Sequence, residues 1–360
     1  MIKMARPNLG KEEEAAVLQV LRSGQLSQGK MVASLEKKFA KLIGTKYAVA
    51  TSSGTTALHL SLLAAGIEAE DEVVTIPFSF IASANCCLYV RAKPVFVDIR
   101  PDDFTINADL IEAAITKKTK AIIPVHIFGC PAEMDKITKI AKKYQLKIIE
   151  DCCQAHGAVF KNKKVGNWGL AGCWSFYPTK NMICGEGGMI TTNDKKLAEK
   201  CILLRSHGSP TRYFHDILGF NFRMGEMEAA IALEQLKKLW KVNKQRQTNA
   251  KTLLQLIKVK GIILPEFKQS RVWHQFTIRV TKNYFLSRNE LRKKLYQAGV
   301  ETEIYYPLPI HKQPLYKKLG YKNKLPVAES ATQEVLSLPI QPRVTKKDLL
   351  LIAKVINKGR

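Results

Sequence analysis

From Lys46 onward, short runs rich in β-branched residues alternate with longer runs whose apolar positions recur every three or four residues. KYAVATS, DEVVTIP, PVFVDI, KAIIPVHIF and LKIIED read as strands. Between them GTTALHLSLLAAG, FIASANCCLYV, NADLIEAAIT and AEMDKITKIAKKYQ read as helices. Parallel neighbours need crossover connections of this length, so the alternation predicts an α/β fold with a mostly parallel sheet and helices on both faces. Two more strand-like runs, GCWSFYP and GGMITT, are too close for another crossover and predict a hairpin-like or mixed insertion.

A long helical pattern follows from about Gly225, through EMEAAIALEQLKKLWKV and on toward Val259. The turn around Gly261 and Pro265 is the best candidate boundary. It divides a large domain, residues 1–260 with the N-terminal segment, from a smaller α+β domain, residues 261–360. The smaller part holds a strand-like VWHQFTIRV, a helix opened by the capping pattern Ser287-x-x-Glu290, a proline-punctuated segment and a closing helix from about Lys346. No internal repeat or low-complexity segment interrupts this order.

Composition narrows the class. A chain of 360 residues with 46% hydrophobic positions buries a sizeable core. The uncharged run Tyr47 to Ile67 is long enough to raise the membrane question, but TSSGTT, His59 and Ser61 argue for a buried turn and helix. The opening MIKMARPNLGKEEEAAV lacks the apolar core of a signal peptide. Eight cysteines include the adjacent pairs Cys86/Cys87 and Cys152/Cys153 and no C-x-x-C spacing, so they read as small buried hydrophobes in a reducing, cytoplasmic setting. The formal charge of +26 permits a nucleic-acid, membrane-surface or acidic-substrate reading. Most of the excess is lysine scattered on helix faces, as in KKLAEK, QLKKLW and LRKKLYQ, and no nucleic-acid motif or polybasic tail accompanies it. Neither nucleic acid nor membrane is expected as a partner.

Chemistry gathers around Lys180, set in SFYPTKNMICGEGG between a strand-like run and a glycine cluster. A lysine amine becomes a nucleophile toward aldehydes when burial removes its proton. In SSGTTAL, residues Gly54, Thr55 and Thr56 follow a strand and open a helix, offering N–H groups and hydroxyls suited to a phosphate, although any strand-to-helix turn has this look. In IIEDCCQAHGA, Asp151 ends a hydrophobic strand, the edge where open α/β sheets bind ligands, and a carboxylate there suits a pyridinium nitrogen. Glu150, Cys152, Cys153 and His156 lie alongside, but no second ligand pair has metal-site spacing, so no metal is expected. Phe78 and Phe80 in PFSFIASAN suit core or ring stacking, and Asn221 and Arg223 in LGFNFRMGEMEAA suit a helix cap, an ion pair or a ligand.

The ordered set SSGTTALHL, PFSFIASAN, AIIPVHIFGCPAEMD, IIEDCCQAHGA, GCWSFYPTKNMICGEGGMITTND, GFNFRMGEMEAA and YYPLPIHKQPLY resembles the DegT/DnrJ/EryC1/StrS family of sugar aminotransferases over nearly the whole chain. The resemblance implies the fold of aspartate aminotransferase (fold type I) and the cofactor pyridoxal 5'-phosphate, with pyridoxamine 5'-phosphate as intermediate. It implies that Lys180 forms the Schiff base, Asp151 pairs with the pyridine nitrogen, Gln154 bonds the phenolic oxygen and Phe80 stacks on the ring. Thr55, Thr56 and Ser175 would hold the phosphate, joined by Asn221 from the second subunit of a homodimer with shared sites. Arg223 and His311 are the matching candidates for substrate. Family members turned dehydratase carry histidine at the lysine position, and this chain keeps Lys180. The implied reaction moves an amino group from glutamate to a keto sugar nucleotide, with a 4-keto-6-deoxy sugar expected first. A 3-keto sugar nucleotide or cyclitol ketone, and a non-catalytic regulator that keeps the fold, are the alternatives.

Overall fold

A computed structural model describes residues 1–358. Two helices, α1 (Lys11–Ser23) and α2 (Lys30–Ile43), precede a seven-stranded sheet. The chain then alternates through β1 (Tyr47–Thr51), α3 (Gly54–Ala64), β2 (Glu72–Thr75), α4 (Ala82–Tyr89), β3 (Lys93–Phe96), β4 (Thr119–Ile122), α5 (Met134–Lys143) and β5 (Lys147–Asp151). A short ribbon of β6 (Val159–Phe160) and β7 (Lys163–Lys164) leads to β8 (Ala171–Ser175), β9 (Gly188–Thr192) and α6 (Lys195–Arg205). The sheet order is β1-β9-β8-β5-β4-β2-β3. Only β9 is reversed: it lies antiparallel between β1 and β8, while the pairs from β8 to β3 are parallel. The expected mixed insertion is therefore β8 and β9, with Lys180 in the connection between them.

Strand residues alternate between two apolar layers, as the pleat requires. Val49, Val73, Ala121, Ile149, Cys173 and Ile190 face one layer with α3 and α6. Their neighbours Val74, Ile122 and Ile148 face α5, and Ala50, Trp174 and Met189 face α2. Both faces being covered explains why the strands read as unbroken apolar runs. NADLIEAAIT departs from expectation: it forms two 3₁₀ turns, Ala108–Leu110 and Glu112–Ala114. Ala108 and Ile111 are its main buried anchors, too few to hold a longer helix, and Ile115 turns extended.

Helix α7 (Glu226–Leu256) leads to a second sheet of β10 (Ile262–Ile263), β11 (Phe276–Val280) and β12 (Val335–Leu338). Helix α8 (Arg288–Gln297) begins with the expected capping box, in which Ser287 accepts from the Glu290 N–H. Helices α9 (Pro314–Lys318) and α10 (Pro326–Glu334) turn back: Ile310, Tyr316, Leu325, Ala328 and Ala331 share an apolar cluster with β2, β4 and α5. The closing helix is α11 (Lys346–Lys358). The uncharged run Tyr47 to Ile67 is β1 and α3, and no helix among the described residues is long and apolar enough to cross a membrane. All eight cysteines are free, and only Cys153 is more than marginally exposed.

Candidate active site

The segments following β1, β2, β4, β5 and β8 converge on one cleft of about 520 Å³, within the range of small-molecule sites. Lys180 lies on its floor, in a turn where its N–H donates to the Tyr177 carbonyl at 2.9 Å. Its amine has no hydrogen-bond partner among the described residues. Burial pushes the ammonium below its usual range, and nearby Cys153 and Asp151 only partly oppose that shift. A side chain in this state supplies a neutral amine more readily than a solvated lysine does.

The first turn of α3 forms one wall. Ser53 caps the helix by accepting from the Thr56 N–H at 3.1 Å, and the Thr56 hydroxyl donates back to the Ser53 carbonyl at 2.9 Å. Thr56 is thus spent on the cap, and it does not line the cleft. Thr55 does, next to the unbonded N–H groups of Gly54 and Thr55 at the positive end of the helix. A Cβ on Gly54 would lie 2.7 Å from the Ser175 Cβ and 2.8 Å from the Cys153 sulfur, so glycine lets the helix start dock directly on the end of β8.

Asp151 ends β5 and is 5% exposed. One carboxylate oxygen accepts from the Ser83 hydroxyl at 2.7 Å and the other from the Cys153 N–H at 3.1 Å. Since Ser83 spends its proton there, the 2.9 Å contact with Ser79 is donated by Ser79. This relay fixes the carboxylate toward the cleft. Gln154 is fixed from two sides: its carbonyl oxygen accepts from the Phe128 N–H at 2.8 Å, and its amide donates to the Tyr306 hydroxyl at 3.1 Å. Phe128 holds this position at φ 54°, a conformation uncommon for a residue with a side chain. Phe80, 57% exposed, stands at the mouth.

The structure therefore brings Thr55, Phe80, Asp151, Gln154, Ser175 and Lys180 together. Asn221, Arg223 and His311 lie outside the cleft of their own chain. Asn221 sits between Phe220 and Phe222, whose rings stack at 4.8 Å and pack on His59, so its side chain is left exposed on the opposite side. Arg223 is half-buried just before α7. His311 is buried against Phe96 and paired with Glu329 at 3.2 Å, which removes it from the cleft of the described chain. Ser83, Phe128, His274, Gln275, Tyr305 and Tyr306 line the cleft without having been singled out in the sequence. Tyr306 had a visible signal, the polar-capable YYP beside prolines, whereas Ser83 looked like any helix residue.

The donors of His126, Glu150 and Cys152 lie within 4.8 Å of one another. Glu150 already accepts from the N–H groups of Gly166, Trp168 and Gly169 at 2.7–2.8 Å. His126 accepts from the Ala132 N–H through Nδ1, so its Nε2–H is the donor to Glu150 at 3.1 Å. The polar atoms of His126 and Glu150 are bound to protein, and none of the three residues lines the cleft.

An unpaired amine, a held carboxylate and a helix start with free N–H groups fit an aldehyde, a pyridine nitrogen and a phosphate carried by one molecule. Fold and cleft fit a pyridoxal-phosphate-dependent aminotransferase, and the family match and similar proteins show that class. The profile of the DegT/DnrJ/EryC1/StrS aminotransferase family matches residues 7–357, and the chain belongs to that family. It is 43% identical to the pleiotropic regulatory protein of Geobacillus stearothermophilus, covering 94% of this chain and 91% of that one. It is 40% identical to the UDP-N-acetyl-3-dehydro-alpha-D-glucosamine 3-aminotransferase of Acidithiobacillus ferrooxidans, over 94% and 91% of the two chains. The solved structure of S. venezuelae DesV superposes with a TM-score of 0.92 at 37% identity, covering 97% of this chain and 94% of that one.

Proposed function

We propose that this aminotransferase moves an amino group from glutamate to the ketone of a sugar nucleotide, as a cytosolic homodimer. The observation that carries the reading is the convergence of Lys180, Asp151, Gln154, Thr55 and Ser175 on one cleft, with the Lys180 amine unpaired. The Acidithiobacillus relative named for a 3-dehydro sugar favours a 3-keto pyranose over the 4-keto-6-deoxy sugar expected from sequence. The regulatory name of the Geobacillus relative does not extend to this chain, because binding alone would not require a buried amine and a held carboxylate lining one cleft.

Lys180 would be the covalent anchor and, once displaced by the amino donor, the base that takes the proton from the donor's Cα and returns it. Its lowered proton affinity serves both tasks near neutral pH. When bound, pyridoxal phosphate supplies the electron sink for the charge left on that carbon. Asp151 would hold the ring nitrogen, oriented by Ser83 and the Cys153 N–H. Thr55, Ser175 and the free N–H groups of Gly54 and Thr55 would anchor the phosphate. Phe80 would cover the ring and keep water from it.

The test is incubation of the purified protein with pyridoxal phosphate, glutamate and a panel of 3-keto and 4-keto sugar nucleotides, reading 2-oxoglutarate and the aminated sugar by mass. Turnover on the 3-keto members is the expected result. No 2-oxoglutarate with any ketone would reject the reading.

A further inference from the structure

The Gln154–Tyr306 contact leaves one proton unaccounted for. The Gln154 carbonyl oxygen is committed to the Phe128 N–H at 2.8 Å, so the atom facing Tyr306 at 3.1 Å is the amide nitrogen, which can only donate. Tyr306 must therefore accept through its oxygen. A phenol has a single proton, and the Tyr306 hydroxyl has no other partner among the described residues. Its O–H is an unspent donor, and both Gln154 and Tyr306 line the cleft that holds Lys180 and Asp151. The ring carrying it is fixed: it packs edge-on against Phe78 at 5.9 Å.

The cleft's polar groups fall into two connected sets. Ser53, Thr55 and Ser175 are joined through Gly54, and they offer the free N–H groups of a helix start. Phe128, Gln154 and Tyr306 are joined by hydrogen bonds and offer two neutral donors, the second amide proton of Gln154 and the hydroxyl of Tyr306. The first set suits a phosphate. The second suits one oxygen of partial negative charge, and a pyridoxal ring carries one such oxygen beside the carbon that a lysine engages. We propose that Tyr306 donates a hydrogen bond directly to the ring oxygen of the cofactor, as a second donor beside Gln154, and so sets the proton affinity of the group formed at Lys180. This rests on the aminotransferase reading above. Burial pushes the phenol above its usual range, with the nearby Asp151, Tyr305 and Cys153 opposing its ionisation, so the proton stays available for donation throughout the working pH range.

A donor to a negatively charged oxygen stabilises that charge most when no neighbouring cation shares it. Removing the donor therefore raises the pH at which the adjacent nitrogen loses its proton. The experiment uses the cofactor-loaded protein and reads the pH midpoint of its visible absorbance, with no substrate present. Tyr306→Phe keeps the ring against Phe78 and deletes only the hydroxyl. Its midpoint is expected to rise by about one pH unit, a tenfold change in proton affinity, with the thermal midpoint of unfolding lowered by no more than about 4 °C, the cost of one lost hydrogen bond. The same substitution is then made in a Gln154→Ala background. A further rise there supports direct donation, because Gln154 is no longer present to transmit anything. No further rise in that background would show that Tyr306 acts only by orienting Gln154 and would overturn the proposal, as would an unchanged midpoint in the single variant. Absence of a lysine-dependent band in the parent protein, checked with Lys180→Ala, would instead reject the assignment of the site itself.

Discussion

At the scale of single residues, the cleft works by withholding partners. Burial of the Lys180 amine, with no carboxylate hydrogen-bonded to it, is why its ammonium is disfavoured. Lys180→Ala is expected to abolish the visible absorbance of the cofactor-loaded protein while leaving the unfolding midpoint of the cofactor-free protein within about 1 °C of the cofactor-free parent, since a side chain with no bonded partner holds little structure. Borohydride reduction of the parent should leave the cofactor on the peptide containing Lys180, and labelling of any other lysine would refute the role. His156 is a second withheld case. It is buried between Trp174 and Phe176, at 5.4 and 5.8 Å, with neither ring nitrogen hydrogen-bonded. Burial, reinforced by the Lys180 charge, pushes it down from its usual 6.5 to about 3. A folded value below the unfolded one means that the unfolded chain takes up the extra proton. This contribution to stability is complete above pH 6.5 and is lost as pH falls toward 3. His274 shifts in the same direction for the same first cause. In urea titrations at several pH values, His156→Leu should flatten the acid-side loss of stability by up to about 1.4 kcal/mol per pH unit. An unchanged slope would show that His156 is not the group protonated on unfolding.

At the scale of elements, what was legible depended on how local the cause is. The strands of the sheet were legible because both faces are buried, which writes them as apolar β-branched runs. The β8–β9 connection was legible from its spacing, and Lys180 and the Ser53–Thr56 turn from glycine and hydroxyl residues adjacent in sequence. NADLIEAAIT has a helical pattern yet forms two 3₁₀ turns, because helical periodicity over ten residues says nothing about how many anchors the core will accept. The Tyr306–Gln154 contact joins residues 152 apart, and Ser83 reaches Asp151 across 68, so no local pattern announces either. His311 had a suggestive position beside the YYP segment, but its proline-rich neighbourhood turns it onto Glu329. Glu150 is the element-scale counterpart of Asp151. One residue earlier on β5, it points to the other face and gathers the 166–169 loop by three N–H bonds. Glu150→Gln replaces an acceptor with an NH₂ group facing those donors. The expected loss of about 2–4 kcal/mol is read from urea unfolding, and a loss below about 1 kcal/mol would mean that the loop is held by other contacts.

At the scale of the whole molecule, the exposed placement of Asn221 carries the question of assembly. Its side chain faces away from its own core, and the exposed Tyr213, Phe214 and Leu218 lie on the same loop. If a two-fold partner receives Asn221, the exchange is reciprocal. A Lys180→Ala chain and an Asn221→Asp chain, each impaired alone, should then regain about half of the parental activity when co-expressed as mixed dimers. In such a dimer the site with intact Lys180 receives the intact asparagine, and the other site carries both lesions. Differently tagged chains verify the mixing. Verified mixed dimers with no recovery would place Asn221 in its own chain's service, provided Asn221→Asp alone is impaired.

The start of the chain is fastened far from its sequence neighbours. Ile2 bridges to Val300, and the Met4 N–H donates to Glu301 across a separation of 297 residues. At the pace of a ribosome those partners emerge about 15–60 s apart. During that interval residues 2–4 have no native partner to join, although the sheet and α7 that cover α2 have already been made. The fastening is therefore a closing event in biosynthesis, because residues 2–4 are secured only once Val300 and Glu301 have been made.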